Sequence, residues 1–140
     1  MCLTAYLNKK IDEKASYATK EKEVMRVAKR DITVYKVLEQ DTSNSYYSPH
    51  RAMEYTLNTH YYQTGKYKFG ICIGFSLIPK VTKVIINKGL HAYTNLTYAL
   101  NYLPYGKVVV RCIIPKGSLY LKSYDEIVSD NLILTNKIYS

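Results

Sequence analysis

The pattern of apolar and polar positions is clearest in the second half of the chain, where it predicts the centre of the fold. Residues 84–86 and 108–114 form apolar runs with the β-branched composition of core strands. Between them, residues 96–103 place apolar side chains at spacings of three and four, which predicts a short helix capped by Thr94 or Asn95. We therefore expect a strand, a crossing segment, a helix and a second strand in succession.

Further elements surround this unit. The crossing segment is residues 89–93, and residues 32–38 predict a strong strand that is apolar on both faces except at Lys36. Residues 12–30, with a capping aspartate at the first position, predict a surface helix because a thin apolar stripe runs beneath a heavily charged face. Residues 50–58 predict another short helix.

The pattern as a whole predicts six to eight strands and two or three helices. We interpret it as a single α+β domain over residues 1–140 with a mixed or mainly antiparallel sheet. Residues 1–30 would be its charged N-terminal segment and helix, and residues 31–140 its sheet-forming core. A chain of 140 residues is long enough to bury such a core without disulfides or a metal.

The sequence also bears on compartment and redox state. No apolar run is long enough to span a bilayer, and the first residues lack the order of a signal peptide. We therefore expect a cytoplasmic protein that has no membrane partner. Cys2, Cys72 and Cys112 are odd in number and far apart, which predicts free thiols and no metal site.

Positive charge concentrates in the centre of the sequence. No Asp or Glu lies between Tyr55 and Tyr124, and the flanks nearly cancel, so this acid-free region carries the formal net charge of +9. Its basic residues are Lys66, Lys68, Lys80, Lys83, Lys88, Lys107, Arg111, Lys116 and Lys122. Such a region attracts anions if the side chains converge, and we predict that at least four share one face. The alternative is a set of solubilising lysines without a common face.

Tyrosine is unusually abundant, with 16 residues against two phenylalanines and no tryptophan. Such rings could form a surface on which nucleobases stack. The high content of Tyr, Lys, Asn and Ile is also typical of an AT-rich genome, which is a compositional explanation without a function.

One group of polar residues suggests a site, although phosphate-binding glycine loops, serine elbows and metal-binding His-Glu helices are absent from the sequence. Lys36 needs a partner if its ammonium is buried, and Glu126 is the leading candidate. His91 and Tyr93 would point to the same side of an extended segment. We predict that these four side chains line one concave site.

Several short segments resemble a group of small proteins from gut Bacteroidales and their phages. The similarity is carried by the opening Met-Cys-Leu, by Ile-Thr-Val-Tyr-Lys-Val-Leu at 32–38, by Gly-Leu-His-Ala-Tyr at 89–93 and by Ile-Pro-Lys-Gly at 114–117. The resemblance implies a phage or mobile-element protein in a bacterial host cell. It implies a binding role towards host defence or polymerase machinery, or a minor part of the phage particle.

A second group of residues resembles the ADP-ribosyltransferase fold. That fold carries an Arg or His on its first strand, a Ser-Thr-Ser or Tyr segment before a helix, and a Glu on a late strand. The matching positions here are Lys36, residues 92–94 and Glu126. The resemblance implies NAD as the cofactor, although Lys36 departs from the usual Arg or His.

The sequence therefore favours a small binding protein without a cofactor. Its partner would be anionic, namely a host protein complex, a nucleic acid or a nucleotide, and it would bind at the acid-free region. The alternatives are an ADP-ribosyltransferase-like enzyme that uses NAD with Lys36, His91, Tyr93 and Glu126, and a minor structural component of a phage particle.

Overall fold

The structure is a computed structural model. It describes residues 3–41, 45–48, 53–62, 69–101, 103 and 107–140. Within these residues the chain forms thirteen strands: β1 Leu3–Leu7, β2 Arg26–Val27, β3 Ile32–Gln40, β4 Tyr46–Tyr47, β5 Glu54–Tyr55, β6 Thr59–Tyr62, β7 Ile71–Gly74, β8 Thr82–Ile86, β9 Leu90–Tyr93, β10 Lys107–Ile114, β11 Leu119–Lys122, β12 Glu126–Ser129 and β13 Asn131–Tyr139. The two helices are α1 Tyr17–Val24 and α2 Leu96–Asn101. Neither described helix is long and apolar enough to cross a membrane.

The strands form two sheets, and every strand pair described is antiparallel. The larger sheet has the order β2-β11-β12-β9-β3-β10-β13-β6, with β4 and β5 attached beside β3. The smaller sheet has the order β1-β8-β7. The predicted α+β class with six to eight strands is therefore wrong, because the described chain is a β-rich fold with ten strands in one sheet and three in the other.

The first reason for this error is that the predicted helix at residues 12–30 is much shorter. Ser16 caps α1 by accepting the Thr19 N–H, and the helix ends where Met25 adopts an extended backbone with ψ of 150°. Met25 is buried, and the chain continues directly into β2. The helical pattern was thus overridden by burial of Met25, which extends the chain towards the sheet.

A second predicted helix, at residues 50–58, is also wrong where it can be compared. Residues 50–52 lie outside the described part of the chain, but β5 follows them and pairs with β4. Tyr55 is buried there in the core. A β-propensity aromatic that packs inwards favours the strand over a helix with no strong apolar face.

The helix after Asn95 is confirmed. The Asn95 side-chain oxygen accepts the Tyr98 N–H at 2.9 Å, and its carbonyl accepts the Ala99 N–H at 3.2 Å. Asn95 therefore caps α2 and begins its hydrogen-bond series. Ala99 is fully buried, and with Tyr93 and Val109 it forms a cluster between α2 and the larger sheet.

The strands predicted at 32–38, 84–86 and 108–114 are confirmed as β3, β8 and β10. Their predicted arrangement as one continuous unit is not confirmed. β8 belongs to the smaller sheet, whereas β10 lies in the larger sheet beside β3. The supposed crossing at 89–93 is itself β9, and all four of its residues are buried.

The larger sheet is buried on both faces near its centre. On one face, side chains such as Val34, Leu38 and Val110 form the largest core cluster. On the other face, Val109 packs beneath α2, and Val128 packs against Leu3, Val84 and Ile86 of the smaller sheet. β10 buries three consecutive valines as a result, which explains the unbroken apolar run in its sequence.

Both cysteines of the described part of the chain are unpaired, as predicted. Cys72 is exposed on β7, and Cys112 is buried on β10. Cys2 lies outside the described residues.

Gly89 marks the passage from the smaller to the larger sheet, and it provides a test of this packing. Its φ of 138° disfavours any side chain, and an added Cβ would overlap the Val128 side chain. Gly117 also has a positive φ of 91°, but a Cβ there would meet nothing within 4 Å.

We expect Gly117→Ala to cost about 1–3 kcal/mol of unfolding free energy from backbone strain alone. Gly89→Ala should cost at least about 1 kcal/mol more, because it adds overpacking.

Chemical denaturation of the two variants measures this difference. Equal losses of unfolding free energy would contradict the close approach of the sheets at Gly89.

Candidate functional site

Lys36 is buried within the larger sheet, where it links two strands. Its side chain is 8% exposed, and its Nζ donates to the His91 carbonyl oxygen at 2.7 Å. The Nζ also lies 5.0 Å from the centroid of the Tyr55 ring. β3 and β9 pair only at Tyr35 and Tyr93, so the ammonium joins the strands where their ladder is short. A carbonyl dipole and an aromatic face both stabilise a cation shielded from water.

The predicted partner of Lys36, Glu126, lies on the other face of the sheet. Tyr35, Tyr93 and Glu126 are opposite one another on β3, β9 and β12, so their side chains form a row on one face. Lys36 follows Tyr35 and therefore points to the opposite face, where Tyr55 lies. The structure thus does not bring the four predicted residues together on one face.

The remaining members of that group do share a face. His91 alternates with Tyr93 on β9, and both side chains are buried. Glu126 is half-buried beside them, and burial raises the pKa of its carboxyl group, with a further rise from the neighbouring Asp125 charge. Lys36 contacts His91 through the His91 carbonyl oxygen. A catalytic role for these residues stays a prediction from the sequence.

The basic residues of the acid-free region are dispersed. Lys66 and Lys68 lie outside the described residues. Lys83 is on β8 of the smaller sheet, with Lys80 and Lys88 in the turns before and after it. Lys107 and Arg111 are on β10, Lys116 is in the turn after it, and Lys122 is on β11. Lys107 also lies 3.7 Å from the Glu39 carboxylate, so its charge is partly compensated.

A different set of basic residues converges on a groove of about 880 Å³ at the β2 edge of the larger sheet. We call it the basic groove and define it by Arg26, Lys29, Arg30 and Lys122. Asp31, Tyr120 and the apolar side chains of Val27, Ile32 and Ile127 also line it. Three of the four cations come from one short segment, and Lys122 reaches the same place from β11.

The backbone hydrogen bonds of Ala28 hold this segment beside the groove. Its N–H donates to the Ser118 carbonyl oxygen, and its own carbonyl accepts the Gly117 N–H, both at 2.8 Å. The small Ala28 side chain is buried, which fastens the segment to the turn between β10 and β11. The charged residues on either side of Ala28 are exposed.

The positive charge of the basic groove is weakly compensated. Asp31 is the one acid among its lining residues, and one of its oxygens accepts the Lys116 N–H at 2.8 Å. The ion pairs within the described part of the chain are Lys9 with Glu23 and Lys107 with Glu39, and neither includes a cation of the groove. The groove therefore offers two guanidinium and two ammonium groups to an anion.

A second groove, of about 660 Å³, adjoins the basic groove. It lies between β1 and the end of β11, and it shares Arg26, Tyr120 and Lys122 with its neighbour. Tyr6 and Tyr124 also line it, with exposed fractions of 58% and 83%. We call it the tyrosine groove.

A separate exposed feature lies on the smaller sheet. The turn between β7 and β8 exposes three large apolar side chains, those of Phe75, Leu77 and Ile78. Exposed apolar groups clustered in this way are typical of contact surfaces. They line neither groove.

The sequence prediction missed Arg26, Lys29 and Arg30 because it counted them in a nearly neutral flank. One signal was available. The whole chain has four arginines, and two of them lie within five residues, with a lysine between them. Because arginine is scarce here and suits anion binding better than lysine, this local concentration indicated a site.

Comparisons with known proteins identify no relative of this chain: no protein family, no curated protein and no solved structure matches it. No group of three or more potential metal ligands is found among the residues that the structure describes.

Cys112 and Cys72 should differ sharply in reactivity. Burial raises the pKa of the Cys112 thiol to about 12, although the nearby Lys36 charge opposes the rise. Because the thiolate is the nucleophile, native Cys112 should stay unmodified by a maleimide at pH 8, whereas exposed Cys72 should react. Peptide mapping by mass spectrometry distinguishes the two sites, and both should react in denaturant. Modification of Cys112 at the rate of Cys72 in folded protein would contradict its burial.

Proposed function

We propose that this protein binds an anionic partner in the basic groove. The observation that supports the proposal is the convergence of Arg26, Lys29, Arg30 and Lys122 on one concave surface with a single lining acid. Positive charges in a groove attract an anionic partner over about a Debye length, which is roughly 8–10 Å at physiological salt. The two arginines can each hold a phosphate or carboxylate through paired hydrogen bonds.

The proposal keeps the anionic partner expected from the sequence but moves its site. Of the seven basic residues of the acid-free region that the structure describes, Lys122 alone lines the basic groove. The other three cations come from the segment after α1. The expectation that the protein belongs to a phage or mobile element and binds a host complex rests on the sequence resemblance.

Binding is favoured over catalysis by the position of Lys36. The enzymatic alternative depended on Lys36 and Glu126 acting together, and these side chains leave opposite faces of the larger sheet. The contacts of Lys36 with the His91 carbonyl and the Tyr55 ring support a structural role for its charge.

Inorganic polyphosphate provides the test, because it carries charge without any other recognition feature. The double variant Arg26→Gln/Arg30→Gln should bind polyphosphate about tenfold or more weakly than the unmodified protein, since charge-assisted hydrogen bonds contribute about 1.5–3 kcal/mol each. The slope of log affinity against log salt concentration should also become shallower, because fewer counterions are released on binding. Isothermal titration calorimetry at several salt concentrations measures both quantities.

The matched control is Lys80→Gln/Lys88→Gln. It removes the same number of charges from exposed positions that line neither groove. Its affinity should remain within about twofold of the unmodified protein, because distant surface charges are screened by salt. Equal losses in the two double variants would show that net charge, and not the groove, governs binding.

A further inference from the structure

The basic groove and the tyrosine groove adjoin each other, and we call the two together the trough. Their three shared residues, Arg26, Tyr120 and Lys122, lie at the junction. Arg26 and Tyr120 are opposite each other on β2 and β11, so their side chains leave the same face of the sheet. Lys122 leaves β11 on that face too, two residues beyond Tyr120. A ligand that contacts both grooves would pass these three residues.

The two ends of the trough differ in chemistry. Beyond the junction on one side are Lys29 and Arg30, with Asp31 beside them. On the other side, Tyr6 and Tyr124 present exposed rings, and Asp125 supplies a carboxylate. A ligand that fills the trough must be strongly anionic along one part and must present flat, uncharged rings along the other.

At the aromatic end, the Tyr124 ring contacts a second tyrosine ring. The Tyr124 ring lies 5.5 Å from the Tyr98 ring, centroid to centroid, with a tilt of 47° between their planes. Tyr98 is on α2, whose start is capped by Asn95. This contact leaves most of the Tyr124 surface open to a ligand.

We infer that the trough binds single-stranded nucleic acid, with phosphates along Arg26, Arg30 and Lys122 and unpaired bases against Tyr6 and Tyr124. This inference rests on the proposed function and names its partner. Grooves that combine backbone-tracking cations with stacking rings are the general solution for binding single strands. Each base has a flat face that can stack, so no particular nucleotide sequence is required.

Asp125 favours nucleic acid over a simple polyanion or an acidic peptide. Its carboxylate at the tyrosine end repels phosphates or carboxylates placed there, but it can accept a hydrogen bond from the amino group of a base. Duplex DNA satisfies the cationic end equally well. Its base faces are stacked inside the helix, however, and cannot reach the tyrosines.

The test compares a single-stranded oligonucleotide of about 10 nucleotides, its blunt duplex and inorganic polyphosphate by fluorescence anisotropy and competition. Tyr6→Ala and Tyr124→Ala should each weaken oligonucleotide binding about fivefold or more, since stacking contributes about 1–3 kcal/mol per base. Neither should change polyphosphate binding by more than about twofold, because both keep every cation. Tyr124→Phe keeps the ring and should retain oligonucleotide affinity.

Tyr62→Ala is the matched control. Tyr62 is 63% exposed on β6, at the opposite edge of the larger sheet from β2, so its loss should leave oligonucleotide binding unchanged. Thermal unfolding of each variant checks that the fold is intact, which the exposure of Tyr6 and Tyr124 leads us to expect.

The outcomes separate the two proposals. Unchanged oligonucleotide binding by both tyrosine-to-alanine variants would overturn the inference, as would equal affinity for the duplex. The proposed function would then still stand if Arg26→Gln/Arg30→Gln weakens polyphosphate binding. If that arginine variant binds every probe as tightly as the unmodified protein, the proposed function fails as well.

Discussion

Burial of both faces of the larger sheet is the constraint on which the rest of the structure depends. At its centre, β10 buries Val108, Val109 and Val110 in succession, so neighbouring side chains enter different clusters. Successive side chains of a strand point to opposite faces of the sheet, so a strand buried on both faces places them into two separate cores. On one face the covering elements are α2 and the smaller sheet. This need for cover explains why short segments from many parts of the chain form strands.

The same constraint determines where charge can lie. Lys36 is on a central strand, and its ammonium is retained because the His91 carbonyl and the Tyr55 ring replace the water that it loses. The cations of the basic groove lie in the segment after α1 and on β11, near the β2 edge of the larger sheet, where they are exposed. Arg26 on the two-residue edge strand β2 has a second effect, since a charge there discourages pairing with a strand of another molecule.

The basic groove follows from a backbone contact. Ala28 exchanges two hydrogen bonds with the turn after β10, and this brings a run of three basic residues beside Lys122. Ala28 is itself buried, so an uncharged residue positions the charged site through its backbone. Anion binding by this protein would thus depend on a residue that touches no ligand.

Local signals in the sequence were sufficient for some of these features. The apolar runs identified β3, β8 and β10, a cap at Thr94 or Asn95 predicted the start of α2, and Lys36 was expected to need a partner if its charge is buried. These predictions succeeded because capping, side-chain alternation and the cost of burying a charge act over a few residues.

The tertiary structure decided which sheet each strand joins, which face each side chain occupies and which charges meet. Lys36 found the His91 carbonyl rather than Glu126 because strand register places Glu126 on the other face. Residues 12–30 carried a helical pattern, but burial of Met25 and the contacts of Ala28 ended the helix and created the basic groove. Interactions between residues distant in sequence set these outcomes, and no window of local pattern contains both partners.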